Sequence, residues 1–319
     1  MNRYLAQSLS YCRKFASRLH SKKIVGTLAI VMLIALYPLS ALWHEKIDRT
    51  EDYDLSNTSH LRSQGLEAIS LLINREVNEH IWTPNLPFFF PAYMLDNMPN
   101  FQTGIIRSLA ELTASFERCV QCPENHLEKA AHLLKYPPDI WLFAPDNKLK
   151  TAPSSSAQYR KALKYIKKFN LALEEEKCFW VRDAATFTII TNATVKSLSR
   201  IARKIEDEIR EGDNSIFDNH ADDVFYTSQG QIYAYMIILQ KIGRDYKQVL
   251  MAKDCYSEWT SMLRALNNAV HINPVITING KPDDITAPNH LFYMGYYVVK
   301  AENILRKLNY KITGETNEN

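Results

Sequence analysis

Five cysteines raise the first chemical question. Cys119-Val-Gln-Cys122 has CxxC spacing, Cys178 and Cys255 follow, and Cys12 lies near the N-terminus. A redox CxxC sits at the start of a helix that follows a strand, where the helix dipole lowers the thiol pKa. The pattern before Cys119 is instead that of a helix coming to its end. A zinc site needs a second CxxC or paired histidines nearby, and Cys178 stands 56 residues beyond Cys122. Structurally paired or isolated thiols are the simpler reading. Glu76-Val-Asn-Glu79-His80 places carboxylates beside a histidine but lacks the i, i+4 histidine pair of a helical zinc site, so a solvated helix face is expected. Asp218-Asn219-His220-Ala221-Asp222-Asp223 has neither the glycine nor the closing glutamate of a calcium loop, and Asp222 and Asp223 more simply favour the start of a helix. There is no G-x-S-x-G elbow, Walker loop or dinucleotide glycine motif. No metal and no cofactor are expected, and no catalytic residue stands out.

The remaining polar candidates are Asp96, Asp222, Asp223, His271, Asp283 and His290, with turn or capping roles as the competing explanation. Residues 82–101, WTPNLPFFFPAYMLDNMPNF, are unlike the rest of the chain. Pro84, Pro87, Pro91 and Pro99 forbid a continuous helix. Trp82, Phe88, Phe89, Phe90, Tyr93 and Phe101 are expected to form a strap across a helical core, with some of them left as an interaction surface.

The elements that must position these residues read as helices. Glycine is scarce, 9 in 319 residues, which disfavours an architecture of many tight turns. Apolar stripes at helical spacing run through Leu66–Ile81, Ile105–Phe116, Leu127–Leu134, Tyr159–Leu173, Phe187–Ile209, Ile232–Val249, Glu258–Val270 and Leu291–Leu308. The stripe from Phe187 to Ile209 repeats at eleven residues and fits a long, nearly straight helix in a bundle. Val275-Ile276-Thr277-Ile278 before Asn279-Gly280 predicts one short strand and turn. Thr151 to Ser156 is the candidate sub-boundary within a helical body over 60–311, with a tail over 312–319.

Charge is uneven. The chain carries +3, residues 1–23 carry +6 and 24–43 carry none, so the remainder carries −3. A mildly acidic body gives no footprint for nucleic acid. Ile24 to Trp43 is a 20-residue uncharged run, long enough for a transmembrane helix. The basic flank predicts a cytoplasmic N-terminus, a linker over 44–59 and a periplasmic bulk, a single-pass placement in a bacterial inner membrane. The fold expected is mainly α: an N-terminal transmembrane helix, then a multi-helix periplasmic domain with one short β element. The expected partners are the lipid bilayer, through Ile24 to Trp43, and an envelope protein.

Three stretches carry a family resemblance. WTPNLPFFFPAYMLDNMPNFQTGI, DDVFYTSQGQIYAYMIILQKIG and NPVITINGKPDDITAPNHLFYMGYYVVKA are similar to the bacterial family catalogued as domain of unknown function 2333. The resemblance implies a bacterial envelope protein with an N-terminal anchor, and it transfers no catalytic residue. An interaction or scaffold role is expected, and a membrane-tethered hydrolase acting on cell wall or lipid is the alternative.

Overall fold

The computed structural model describes residues 24–28, 31–32, 47–51, 61–87, 90, 96–143, 150–211, 219–274 and 289–314. The helices are α1 (Gln64–Asn74), continued by a π-helical turn (Arg75–Glu79), then α2 (Asn97–Glu117), α3 (His126–Leu134) and α4 (Ser155–Glu174). They are followed by α5 (Ala184–Glu211), α6 (Asn219–Asp245), α7 (Lys247–Ala252), α8 (Tyr256–Val270) and α9 (His290–Thr313). One antiparallel pair, β1 (Val120–Gln121) with β2 (Phe179–Trp180), joins the ends of α2 and α4. A Cys122–Cys178 disulfide closes beside it. Cys119 remains a buried thiol, and burial pushes its pKa up to about 12. The predicted strand at Val275–Ile278 lies outside the described residues.

Local sequence sets the helix ends. Ser63, Ser154 and Asn289 cap α1, α4 and α9 by accepting the backbone N–H three residues on. Gly314 ends α9 in the left-handed region at φ 77°, where a side chain would be strained. The N-terminus of α1 is held a second way. The half-buried Asp245 carboxylate, at the far end of α6, accepts hydrogen bonds from Ser63 Oγ and from the Gln64 and Gly65 amides, each at 3.0 Å.

Helix α6 is the central element. Ile232 to Leu239 are all buried, which is why this run reads as apolar on every face. Helices α1, α2, α5 and α8 pack around it, α3 and α4 extend the bundle beyond α1 and α2, and α9 lies on α5 and α8. The approach of α2 to α6 is unusually close. A Cβ on Gly104 would fall 2.2 Å from Thr227 O, and one on Gly230 would fall 2.0 Å from Phe101 O. Across Thr151–Ser156, buried Ser155 donates to Pro137 O at 2.6 Å and accepts from Ile140 N at 3.0 Å, while α3 packs on α4.

The mainly helical expectation matches this bundle, and the membrane-spanning part of it is corrected. Among the described residues no helix is long and apolar enough to cross a membrane. Of the run 24–43, residues 24–28, 31 and 32 are described, as helix, and the rest lies outside the described residues. Helices α2, α4, α5, α6 and α9 have the length but carry charged residues along it, among them Arg107 and Glu111 on α2, Arg160 and Lys164 on α4, Arg200 and Lys204 on α5, Asp223 and Lys241 on α6, and Lys300 and Glu302 on α9. The transmembrane helix is therefore withdrawn. With it go the inner-membrane and periplasmic placement, the lipid-bilayer and envelope partners, and the scaffold and tethered-hydrolase roles built on that anchor.

Candidate functional site

The structure brings Asp96 near Asp223 and places His271 and His290 at the ends of other helices. Asp96 is the exposed N-cap of α2, with no side-chain capping bond. Asp222 lies in the first turn of α6. Asp223 accepts from Asn100 Nδ2 at 2.6 Å, and burial together with the charge of Asp96 raises its pKa. His271 caps the C-terminus of α8, with Nε2 3.3 Å from Glu51. His290 opens α9, and burial lowers its pKa. Asp283 lies outside the described residues. Among the described residues no three His, Cys, Asp or Glu side chains gather to hold a metal.

The aromatic stretch divides. Trp82 is buried, donates Nε1–H to Pro138 O at 2.9 Å, and stands edge-on to Tyr159 at 5.1 Å. Phe101 is buried 5.6 Å from the Tyr233 ring. Phe90 is exposed. Phe88, Phe89 and Tyr93 lie outside the described residues.

Two features were not read from the sequence. The first is a buried charge network on the π-helical turn, a geometry that often marks functional sites. Glu76 is fully buried, and its Oε1 accepts from Arg75 Nε at 2.7 Å and Nη2 at 2.5 Å. Gln102 Nε2 donates to Oε2 at 3.0 Å. Arg75 Nη1 also donates to Tyr233 OH at 2.6 Å. The His80 ring lies 3.7 Å from Glu76 and 3.5 Å from Asp48. Burial pushes the Glu76 carboxyl up, but His80, Arg75 and Gln102 together hold it below the ordinary carboxylate range. The Glu76 carboxylate in turn raises His80. Glu76 has no access to solvent, and the bonds of this network lock α1 to α2 and α6. Its sequence signal was present: Glu76 lies three residues after Ile73 and seven after Ile69, on the flank of the apolar stripe.

The second feature is an open groove of about 740 Å³ between α5 and α9. Helix α9 is apolar on two faces. Leu291, Met294, Val298, Ala301, Leu305 and Leu308 are buried, whereas Phe292, Tyr296 and Val299 are exposed. The exposed set recurs at spacings of four and three and forms one wall of the groove. Ala202, Ile205 and Ile209 on α5 form the other. At the floor, Gly295 admits Ile205, whose Cγ2 would lie 3.1 Å from a Cβ at that position. The polar lining is sparse: Lys300, Asn303 and Lys307 from α9 and Glu206 from α5. Lys300 Nζ stands 5.9 Å from the Tyr296 ring centroid. Lys307 has no ion-pair partner among the described residues. From Phe292 to Lys307 the groove follows sixteen residues of helix, about 22 Å.

Residues 195–311 match the family described as "Uncharacterized protein conserved in bacteria (DUF2333)". That range takes in the DDVFYTSQGQ and NPVITINGKP stretches and the whole α5–α9 groove, while the stretch beginning at Trp82 lies outside it, so its resemblance stays an expectation. No curated protein matches the chain, and no solved structure does.

Proposed function

We propose that the chain is a ligand-binding module whose α5–α9 groove holds an elongated apolar molecule with an anionic end, of the acyl-carboxylate class. The observation that carries this reading is the exposed apolar face of α9 set opposite a second apolar wall, with two lysines along one edge. Ligand sites are typically ~300–1,000 Å³, mostly apolar, with a few polar groups that fix orientation, and helix bundles place them between helices. The groove has that size and composition. Lys300 and Lys307, two turns apart on α9, give a carboxylate a place at the rim, and Glu206 on the facing wall disfavours the reverse orientation. The charge of the rim also argues against the basic residues 1–23 as occupant.

The test compares palmitate with hexadecanol, which shares the apolar chain and lacks the charge. Both are titrated into the full chain below micelle-forming concentrations. Palmitate binds at least tenfold tighter than the alcohol to the native chain. Lys300→Ala with Lys307→Ala removes that preference. Val299→Trp, at an exposed position, fills the groove and weakens both ligands without loss of folding. Equal binding of both molecules by the native chain, or no effect of Val299→Trp, defeats the reading. So does a dimer whose interface proves to be this groove.

A further inference from the structure

A second cleft, of about 440 Å³, opens on the other side of α5, between α5 and the C-terminal ends of α2 and α3. Its chemistry is opposite to that of the groove. Four cations line it, Arg118, Lys135, Lys196 and Arg200, against one carboxylate, Glu111.

That carboxylate is already committed. Its Oε2 accepts from Tyr235 OH at 2.7 Å and from Ser197 Oγ, and its Oε1 takes Arg200 Nη2 at 2.5 Å. Tyr235 is fully buried and keeps its proton, because burial and the Glu111 charge raise its pKa far above the ordinary value. Glu111 therefore fixes Arg200 at the wall of the cleft and leaves the other three cations uncompensated. Arg118, Lys135 and Lys196 have no ion-pair partner among the described residues. Arg118 and Lys135 sit at the C-caps of α2 and α3, where a cation complements the helix dipole. That accounts for two of them and not for Lys196, in the middle of α5. A neutral donor joins the set. Asn192 Oδ1 accepts from Asn309 Nδ2 at 2.8 Å, which leaves the Asn192 amide N–H₂ without an acceptor among the described residues.

We infer that this cleft is a binding site for a phosphate-bearing small molecule, independent of the apolar groove. Two guanidiniums supply planar forks that match tetrahedral oxyanions, two ammonium groups supply compact charge, and Asn192 supplies a directional donor. The cleft has room for a phosphoryl group with a small organic residue attached.

The probe is inorganic phosphate, titrated into the full chain by calorimetry at low ionic strength. Saturable binding is expected, with sulfate competing and chloride at equal ionic strength failing to compete. Arg118→Ala with Lys196→Ala changes two exposed side chains that hold no ion-pair partner among the described residues, so the variant folds and weakens phosphate at least tenfold. Lys164→Ala with Lys167→Ala removes the same charge from exposed positions on α4 and leaves the affinity within twofold. No saturable binding to the native chain overturns the inference. Equal losses in the two double variants also overturn it, since they mean that surface charge alone attracts the anion. Because the groove is tested with palmitate, failure here does not bear on the groove reading.

Discussion

Replacing Glu76 by Gln keeps the side-chain shape and removes one charge from the buried network. In the native chain Glu76 Oε1 takes two Arg75 bonds, at 2.7 and 2.5 Å, and Gln102 completes Oε2 at 3.0 Å. The variant turns a donor N–H₂ toward a donor, either Arg75 or Gln102, and leaves the buried guanidinium without its adjacent carboxylate. Breaking a buried pair from one side costs about 3–5 kcal/mol. Asp48, 3.8 Å from Arg75 and partly exposed, compensates only in part, so we expect about 3 kcal/mol. Urea unfolding at pH 7 with an unchanged m-value reads this loss. Replacing both partners, Arg75→Met with Glu76→Leu, should recover most of it, because no charge is then left unpaired.

The sign of the pH dependence follows from the same network. The His80 pKa is raised above its ordinary 6.5, so its contribution is full below that value and is lost as pH rises through the folded-state value. The Glu76 pKa is lowered from its ordinary 4.5, so its contribution is present above that value and is lost as pH falls through the folded-state value. Native stability should therefore decline on both sides of a window between about 4.5 and 6.5, and Glu76→Gln should lose the upper slope. A Glu76→Gln loss below about 1 kcal/mol would refute the reasoning, since it would put the network at the value of an exposed pair.

Two further outcomes test the packing. Gly230→Ala places a Cβ 2.0 Å from Phe101 O, and backbone cannot yield as a side chain tip can. The α2–α6 contact should open at a cost of about 3 kcal/mol, visible as a lower thermal midpoint, and an unchanged midpoint would deny the close approach. Cys122→Ser with Cys178→Ser removes a cross-link spanning 56 residues of sequence, which should destabilise the oxidised chain by up to about 4 kcal/mol. A reducing agent should reproduce that loss in the native chain and do nothing to the variant.

Most helices were legible because they bury one face, so the apolar spacing of Leu66 to Ile73 or Phe187 to Ile209 carries the signal directly. Caps such as Ser63 and Ser154 agree with it. Glu76 was misread because a carboxylate four residues before a histidine on a helix normally faces water, and only the partners Arg75, Gln102 and Tyr233 show otherwise. The groove is hidden in the sequence for a related reason. The stripe from Leu291 to Leu308 accounts for the helix by itself, and nothing local marks Phe292, Tyr296 and Val299 as a second, exposed apolar face. The Cys122–Cys178 pairing depends on β1 meeting β2 across a long separation, which no local pattern encodes. The transmembrane expectation rested on the uncharged run Ile24 to Trp43 and its basic flank, most of which lies outside the described residues, and no described helix has both the length and the apolarity to support it.

The most direct test of ligand binding is a methyl-resolved NMR titration of the full chain with palmitate. The account predicts saturable shifts at the methyl groups of Ile205, Ile209, Val299 and Ile304, which line the groove. It predicts little change at buried methyls away from it, such as Leu66 and Ile69 of α1. Shifts scattered over the molecule, or none at the groove while palmitate remains in solution, would contradict it.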